Sequence, residues 1–143
     1  MTLSLAHAQR IIAGALAAAR ESDAAPLAVV VLDSGGHPVA FAREDGASLF
    51  RFDIARAKAF GALGMGADTD VLSQRAKGNP VFFASVSAAV GGNIAFLPGG
   101  VIVRDPSGVP IGAVGISGDT GERDAACAIA GITAASMNQE TSK

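Results

Sequence analysis

The spacing of hydrophobic residues in the first third of the chain predicts a helix followed by a β-hairpin. From Ser4 onward, apolar residues recur every three or four positions, which is the period of an amphipathic helix. Residues 27–32 are then a run rich in β-branched side chains, and a turn with two glycines and a proline separates them from residues 39–43. Two short apolar runs on either side of such a turn are typical of a hairpin.

A second helix, predicted over residues 48–65, is apolar on two nearly opposite sides. One apolar stripe runs from Phe50 to Met65, and the other runs from Phe52 to Leu63. Lys58 lies in the narrow strip between the two stripes. Because a helix with two apolar sides has to be covered on both, we expect the sheet to cover one side. Another helix or a second subunit would cover the other.

The rest of the chain is predicted to add short helical and strand segments. A short helix is predicted to end at Lys77, and residues 80–90 fit either a helix or a strand. Three further strands are predicted at residues 93–97, 101–104 and 110–117. The proline and glycine residues between them favour tight turns.

The C-terminal segment completes a single α+β domain. A last helix is predicted from about Glu122 to Asn138, and Asp119 precedes Glu122 by the spacing of a capping box. The order helix, hairpin, helices, hairpin, helix predicts an antiparallel sheet flanked by helices. Neither a linker nor a change in composition divides the chain, so residues 1–143 are predicted to form one domain.

Charge and composition narrow the classes of partner. The net charge is −2 and no block of Lys or Arg is present, which argues against nucleic-acid binding. No apolar run reaches the roughly 20 residues of a membrane span, and the N-terminus lacks a secretory pattern. We therefore expect a cytoplasmic protein without a membrane partner. Half of the residues are hydrophobic, and a small chain this apolar is expected to hide part of its surface in a homo-oligomer, a dimer or larger.

Six segments, taken in order along the chain, resemble one known family. They are the hairpin sequence at 29–38, R-x-D-G-A at 43–47, A-x-x-K-A at 55–59, Pro-Gly-Gly at 98–100, the glycine-containing strand at 109–118, and Asp124. Together they are similar to the GlcG/HbpS-like family (DUF336, also called haem-degrading) over nearly the whole chain. The resemblance implies a five-stranded antiparallel sheet, a profilin-like architecture and oligomeric assembly. Members include haem-binding proteins, so the resemblance also implies haem as the cofactor to test.

Arg43, Asp45 and Lys58 are the strongest candidates for ligand contacts. Arg43 ends a predicted strand, Asp45 follows it in the turn, and Lys58 lies between two apolar stripes. A cation shielded from water can hold a carboxylate or a haem propionate strongly, because water competes less. The structural alternative is an Arg43–Asp45 pair that fixes the exit of the hairpin, with Lys58 reaching solvent or bridging two subunits.

The sequence therefore leaves two functional hypotheses. In the first, the protein binds haem or a small carboxylated ligand in a pocket between helix and sheet or between subunits. The residues predicted to line this pocket are Arg43, Lys58, Phe50, Phe96, Leu97, Gly99, Gly100 and Arg123. In the second, the protein is a cofactor-independent lyase or isomerase acting on a small oxygenated acid in a catabolic pathway. Lys58 or Asp45 would then be the acid or base, and Arg43 would anchor the substrate.

The histidines add one further candidate. His7 begins the first predicted helix and could ligate haem iron, with a purely structural histidine as the alternative. No cluster of two histidines and a carboxylate is readable, so neither a catalytic zinc site nor a non-haem iron site is predicted.

Overall fold

A four-stranded antiparallel sheet lies between two layers of helices in the computed structural model, which describes residues 2–141 and the side chains of residues 2–136. The sheet order is β2-β1-β4-β3. In chain order the elements are α1 (Leu5–Glu21), β1 (Ala28–Asp33), β2 (Pro38–Arg43), α2 (Arg51–Met65), α3 (Thr69–Gly78), α4 (Pro80–Ala89), β3 (Gly100–Arg104), β4 (Pro110–Ser117) and α5 (Gly121–Thr141). The predicted α+β class and the first hairpin are confirmed. Within the described residues, no helix is long and apolar enough to cross a membrane.

Helices α1 and α5 cover one face of the sheet and pack closely on each other through small residues. A Cβ atom added to Gly14 would lie 2.9 Å from the Cβ of Ala134, and one added to Gly131 would lie 3.0 Å from the Cβ of Ala15. The alanine-rich composition of both helices therefore permits a close helix–helix contact. At the start of α1, the Ser4 hydroxyl accepts a hydrogen bond from the His7 amide at 3.1 Å, which caps the helix.

Helix α2 covers the opposite face of the sheet and packs unusually close to the backbone of the strands. A Cβ atom on Gly115 would collide with the carbonyl oxygen of Ala55, and one on Gly100 would collide with the carbonyl of Lys58. Glycine at these two strand positions lets α2 approach the sheet. One apolar side of α2 is thus covered by the sheet, as predicted.

The other apolar side of α2 is covered in part by a loop of the same chain. The amide of Ala95 donates a hydrogen bond to the carbonyl of Ala57 at 3.2 Å. Ile94 lies against Gly61, whose added Cβ atom would be 3.6 Å from that of Ile94. This part of the cover is therefore a loop of the same chain, which the sequence analysis did not predict.

The prediction of five strands is wrong for the described residues. Residues 93–97, expected as a strand, are a loop. They follow Gly91 and Gly92, which turn the chain with φ of +84° and +78°, and they end at Pro98. Because their backbone bonds to α2, they do not add to an edge of the sheet. Of the ambiguous residues 80–90, residues 80–89 form α4, with a proline in the first turn.

The start of α5 also differs from the predicted capping box. The Thr120 hydroxyl accepts a hydrogen bond from the Arg123 amide at 3.3 Å. Asp119, the residue expected to cap the helix, instead accepts a hydrogen bond at 2.7 Å from the amide of Ala25, in the loop after α1. That bond ties the beginning of α5 to the end of α1.

Candidate functional site

Lys58 and Asp124 form an ion pair inside the protein. The ammonium of Lys58 donates hydrogen bonds to Oδ2 of Asp124 at 3.1 Å and to the carbonyl oxygen of Ile116 at 2.9 Å. The other carboxylate oxygen of Asp124 accepts a hydrogen bond from the Asp119 amide at 3.1 Å. The two side chains are only 4% and 1% exposed. The pair therefore joins α2 to the end of β4 and to the first turn of α5.

Burial changes the proton affinity of both partners. It lowers the pKa of Lys58 and raises the pKa of Asp124, because the charged form of each group loses contact with water. In each case the charge of the partner counteracts the shift. The attraction between the two charges therefore favours the ionised form of both groups, although each group is buried.

The predicted ligand residues Gly99 and Gly100 lie beside this ion pair. A Cβ atom on Gly99 would lie 2.8 Å from Nζ of Lys58 and 2.7 Å from the carbonyl oxygen of Ile116. Gly99 also has a φ of +129°, which favours glycine. The Gly100 amide donates to Oγ1 of Thr69 at 2.8 Å. The structure thus brings Lys58, Gly99 and Gly100 together, in the buried interior.

Arg43 lies at the rim of an open apolar cleft on the outer strand of the sheet. We call this the aromatic cleft; its volume is about 640 Å³, and it is lined by Phe41, Ala42, Arg43, Leu49, Phe52 and Asp53. The rings of Phe41 and Phe52 are 4.7 Å apart between centroids. Phe41 is 54% exposed and Leu49 is 74% exposed. Because these exposed apolar side chains line one cleft together, the cleft is a candidate binding surface.

Arg43 also borders a second, polar cleft that contains Asp45. This cleft has a volume of about 460 Å³ and is lined by Arg20, Pro26, Arg43, Glu44 and Asp45. One wall is held by an ion pair of 3.0 Å between Nε of Arg20 and a carboxylate oxygen of Glu44. The structure therefore brings Arg43 and Asp45 to one cleft, whereas Lys58, the third member of the predicted group, lines neither of the clefts that contain Arg43.

The remaining predicted pocket residues are spread over other surfaces. Phe50 is 67% exposed and follows Leu49 in the loop before α2. Phe96 packs edge-on against Phe83, with ring centroids 4.8 Å apart, and Leu97 next to it is exposed. Arg123 forms an exposed ion pair with Asp119 at 3.8 Å. None of these four lines the aromatic cleft.

His7 lies buried in the first turn of α1. Its Nε2 atom has no hydrogen-bond partner among the residues that the structure describes. Burial, followed by the nearby charge of Arg10, lowers the pKa of His7 and so favours the neutral imidazole, the form that ligates metals. His7 and Arg20 are thirteen positions apart on α1, which corresponds to a rise of about 20 Å. His7 therefore lies at the opposite end of α1 from Arg43.

The sequence analysis missed Phe41, Leu49 and Phe52 as cleft residues. Phe41 and Arg43 are two residues apart on one strand, so both point to the same face of the sheet. Phe41 pairs with Val30 on β1, whose side chain faces α2. The alternation along β2 was the available signal, but it could not show that α2 leaves this corner of the sheet uncovered.

Comparison with known proteins gives one family. The sequence model of the family described as "Haem degrading protein HbpS-like" matches residues 3–133. No curated protein sequence matches the chain significantly.

Several solved structures are similar to this one. A double mutant of HbpS from Streptomyces reticuli is 29% identical, with a TM-score of 0.80 and coverage of 93% of this chain and 86% of that one. The haem complex of PduOC is 25% identical, with a TM-score of 0.84 and coverage of 94% and 95%. The DUF336 protein ORFY from Klebsiella pneumoniae is 27% identical, with a TM-score of 0.86 and coverage of 95% and 92%.

Proposed function

The chain belongs to the HbpS-like family of haem-degrading proteins. We propose that it binds haem, or another planar carboxylated molecule, in the aromatic cleft. The observation that supports the proposal is the position of Arg43 at the rim of a cleft walled by two phenylalanine rings. One similar structure is a complex with haem.

The cleft fits the two chemical parts of a haem molecule. Phe41, Phe52 and Leu49 offer apolar surface to the porphyrin plane, and the guanidinium of Arg43 can form paired hydrogen bonds with a propionate. The volume, about 640 Å³, lies within the usual range of small-molecule sites, roughly 300 to 1,000 Å³. Asp53 also lines the cleft and carries a negative charge, so we expect the propionate to lie beside Arg43 and away from Asp53.

His7 fits the iron rather than the porphyrin edge. A neutral imidazole with a free Nε2 atom has the chemistry of an axial ligand. Its burial and its distance along α1 from the Arg43 end make it a separate hypothesis from the aromatic cleft. The aromatic cleft is the better-supported site because it is already open.

The predicted contact between Lys58 and the ligand is not part of this proposal. Its ammonium already has two buried acceptors, Asp124 and the carbonyl of Ile116. For the same reason, no observation favours the alternative of a lyase or isomerase that uses Lys58 as its acid or base. Asp45 lines a cleft with Arg43, but the other acid or base candidate among the described residues of that cleft is Glu44, which is paired with Arg20.

We further propose that a second copy of the chain covers part of this apolar corner. Leu49 and Phe50 are adjacent and largely exposed, and Phe41 lies beside them on an edge strand. An exposed edge strand with apolar neighbours is a natural site for association. Light scattering of the purified protein should give a dimer or larger, and Leu49→Asp should shift it toward the monomer; a monomeric wild type would contradict this part.

Haem titration followed by absorbance tests the binding proposal. We expect a saturable Soret band for the wild type and roughly tenfold or greater weakening in Arg43→Gln, because a charge-assisted hydrogen bond is lost. Arg75→Gln, which changes an exposed arginine on α3, is the matched control. Unchanged affinity in both Arg43→Gln and Phe41→Ala would contradict the aromatic cleft.

Two further arms separate the iron from the porphyrin. Iron-free protoporphyrin IX should bind with similar affinity if Arg43 and the rings supply most of the interaction. A change in Soret position in His7→Ala would instead identify His7 as the axial ligand. Absence of any saturable binding by the wild type would contradict haem as the ligand.

A further inference from the structure

We propose that a third cleft, beside α2, binds a small zwitterionic acid of the free amino acid type. This α2 cleft has a volume of about 310 Å³ and is lined by Asp53, Arg56, Ala57, Phe60, Gly92 and Asn93. It shares Asp53 with the aromatic cleft but contains a different arginine. The inference does not depend on haem binding.

The charges of the α2 cleft are complementary to a zwitterion. Asp53 and Arg56 are exposed, and neither forms an ion pair with another described residue. They are three residues apart on one helix, so their side chains lie on the same side and close together. A carboxylate can pair with the guanidinium of Arg56 while an ammonium group on the same molecule pairs with Asp53.

The apolar part of the cleft is held in place from behind. Ala57 and Phe60 follow Asp53 at four and seven residues and so continue the same side of α2. The ring of Phe60 lies against the hairpin turn, since a Cβ atom added to Gly36 would be 2.8 Å from it. A ring fixed in this way can receive the aliphatic side chain of a ligand without losing freedom of its own.

The opposite wall is a loop that is also fixed. Gly92 has a φ of +78° and donates its amide to the carbonyl of Ser87 at 2.7 Å. Two residues after Asn93, the Ala95 amide bonds to the carbonyl of Ala57. Asn93, whose side chain has both a donor and an acceptor, therefore lines the cleft from a tethered backbone.

Size and charge together select the ligand class. The volume is at the lower end of the range for small-molecule sites, which favours a ligand smaller than a porphyrin. A dicarboxylate would meet Asp53 and a diamine would meet Arg56, so like charges disfavour both. An α-amino acid with an aliphatic side chain can pair with Arg56 and Asp53 and contact the ring of Phe60 at the same time.

An NMR titration with L-leucine as the probe tests the proposal. We expect saturable shifts of the backbone amides of Ala57, Phe60, Gly92 and Asn93 in the ¹⁵N-labelled protein. Arg56→Gln should weaken binding roughly tenfold or more. Arg75→Gln, on α3 and outside the cleft, is the matched control, and Arg43→Gln should bind leucine normally even if haem binding is lost.

Two comparisons identify the zwitterion itself. 3-Methylbutylamine, which lacks the carboxylate, should not bind. The Asp53→Asn substitution should weaken the binding of leucine more than it weakens the binding of 2-hydroxy-4-methylpentanoate, which lacks the ammonium group. Unaltered melting temperatures of Arg56→Gln and Asp53→Asn would show that the fold of each variant is intact. The proposal is overturned if leucine causes no saturable shift at these amides, if Arg56→Gln binds leucine as the wild type does, or if the hydroxy acid binds as tightly as leucine.

Discussion

Replacing Lys58 with methionine would leave the Asp124 carboxylate buried without its cation. The side chain of Asp124 is 1% exposed, and among the described residues it would keep only the hydrogen bond from the Asp119 amide. The carbonyl of Ile116 would also lose its donor. Removing one partner of such a buried pair costs about 3–5 kcal/mol, a large part of the roughly 5–15 kcal/mol that stabilises a typical domain.

Urea denaturation followed by circular dichroism measures this loss. With a slope of about 2 kcal/mol per molar urea, the midpoint of Lys58→Met should fall by about 2 M. Lys77→Met, the same substitution at an exposed position on α3, should change stability by less than about 0.5 kcal/mol. The double variant Lys58→Met/Asp124→Leu should recover most of the loss, because no unpaired charge stays buried.

The pH dependence of the two single variants should have opposite signs. In Lys58→Met, burial raises the pKa of Asp124 with no cation to oppose it, so the folded state binds the proton more tightly than the unfolded state does. Stability should therefore increase as the pH falls from 7 to 5. In Asp124→Leu, burial lowers the pKa of Lys58, so stability should increase as the pH rises from 7 to 9. A loss below about 1 kcal/mol in both variants, or the same pH slope in both, would refute this account of the pair.

Three further predictions concern the frame around the clefts. Gly115→Ala should cost about 1–3 kcal/mol in urea denaturation because its Cβ atom meets the backbone of Ala55. Gly64→Ala, a helical glycine with nothing within 4 Å, should instead stabilise by about 0.5–1 kcal/mol, and equal effects would contradict the close approach at Gly115. Thr120→Ala should cost about 0.5–2 kcal/mol, measured in the same way, because α5 loses its hydroxyl acceptor, and no change would show that the hydroxyl does not cap the helix. Burial raises the pKa of Cys127, so a thiol reagent should label it slowly in the native protein and quickly in urea, and fast native labelling would contradict its burial.

Local patterns predicted most of the secondary structure, and tertiary contacts decided the exceptions. The β-branched run of β1 and the two apolar stripes of α2 followed directly from the spacing of residues. Residues 93–97 have a strand-like sequence, yet their backbone hydrogen bond goes to α2. Whether a short apolar segment pairs with a sheet or lies on a helix depends on its position in space, which periodicity does not contain.

The sequence left the environment of Lys58 open and did not indicate its partner. Its position between two apolar stripes was compatible with shielding from water and with a side chain that reaches solvent; in the structure Lys58 is buried. Asp124 is 66 residues further along the chain, and the two meet only because β4 ends, and α5 begins, within reach of the Lys58 side chain. The same sequence pattern was compatible with a ligand carboxylate in the place that Asp124 occupies.

Helix α2 therefore divides its charged residues between the fold and the surface. Lys58 lies on the side that faces β4, where its charge is compensated by Asp124. It lines neither of the two clefts that contain Arg43. Asp53 and Arg56 lie on the side that the sheet does not cover, and Arg43 lies beside the first turn of the helix. Substitutions on the sheet side should therefore alter stability, and substitutions at Arg43 and Arg56 should alter binding with little loss of stability. The Lys58 ion pair and the cleft arginines share no partner among the described residues, so the effects of their substitutions on stability should add when they are combined. A strong coupling between Lys58→Met and Arg56→Gln would mean that the α2 cleft and the ion pair are parts of one site.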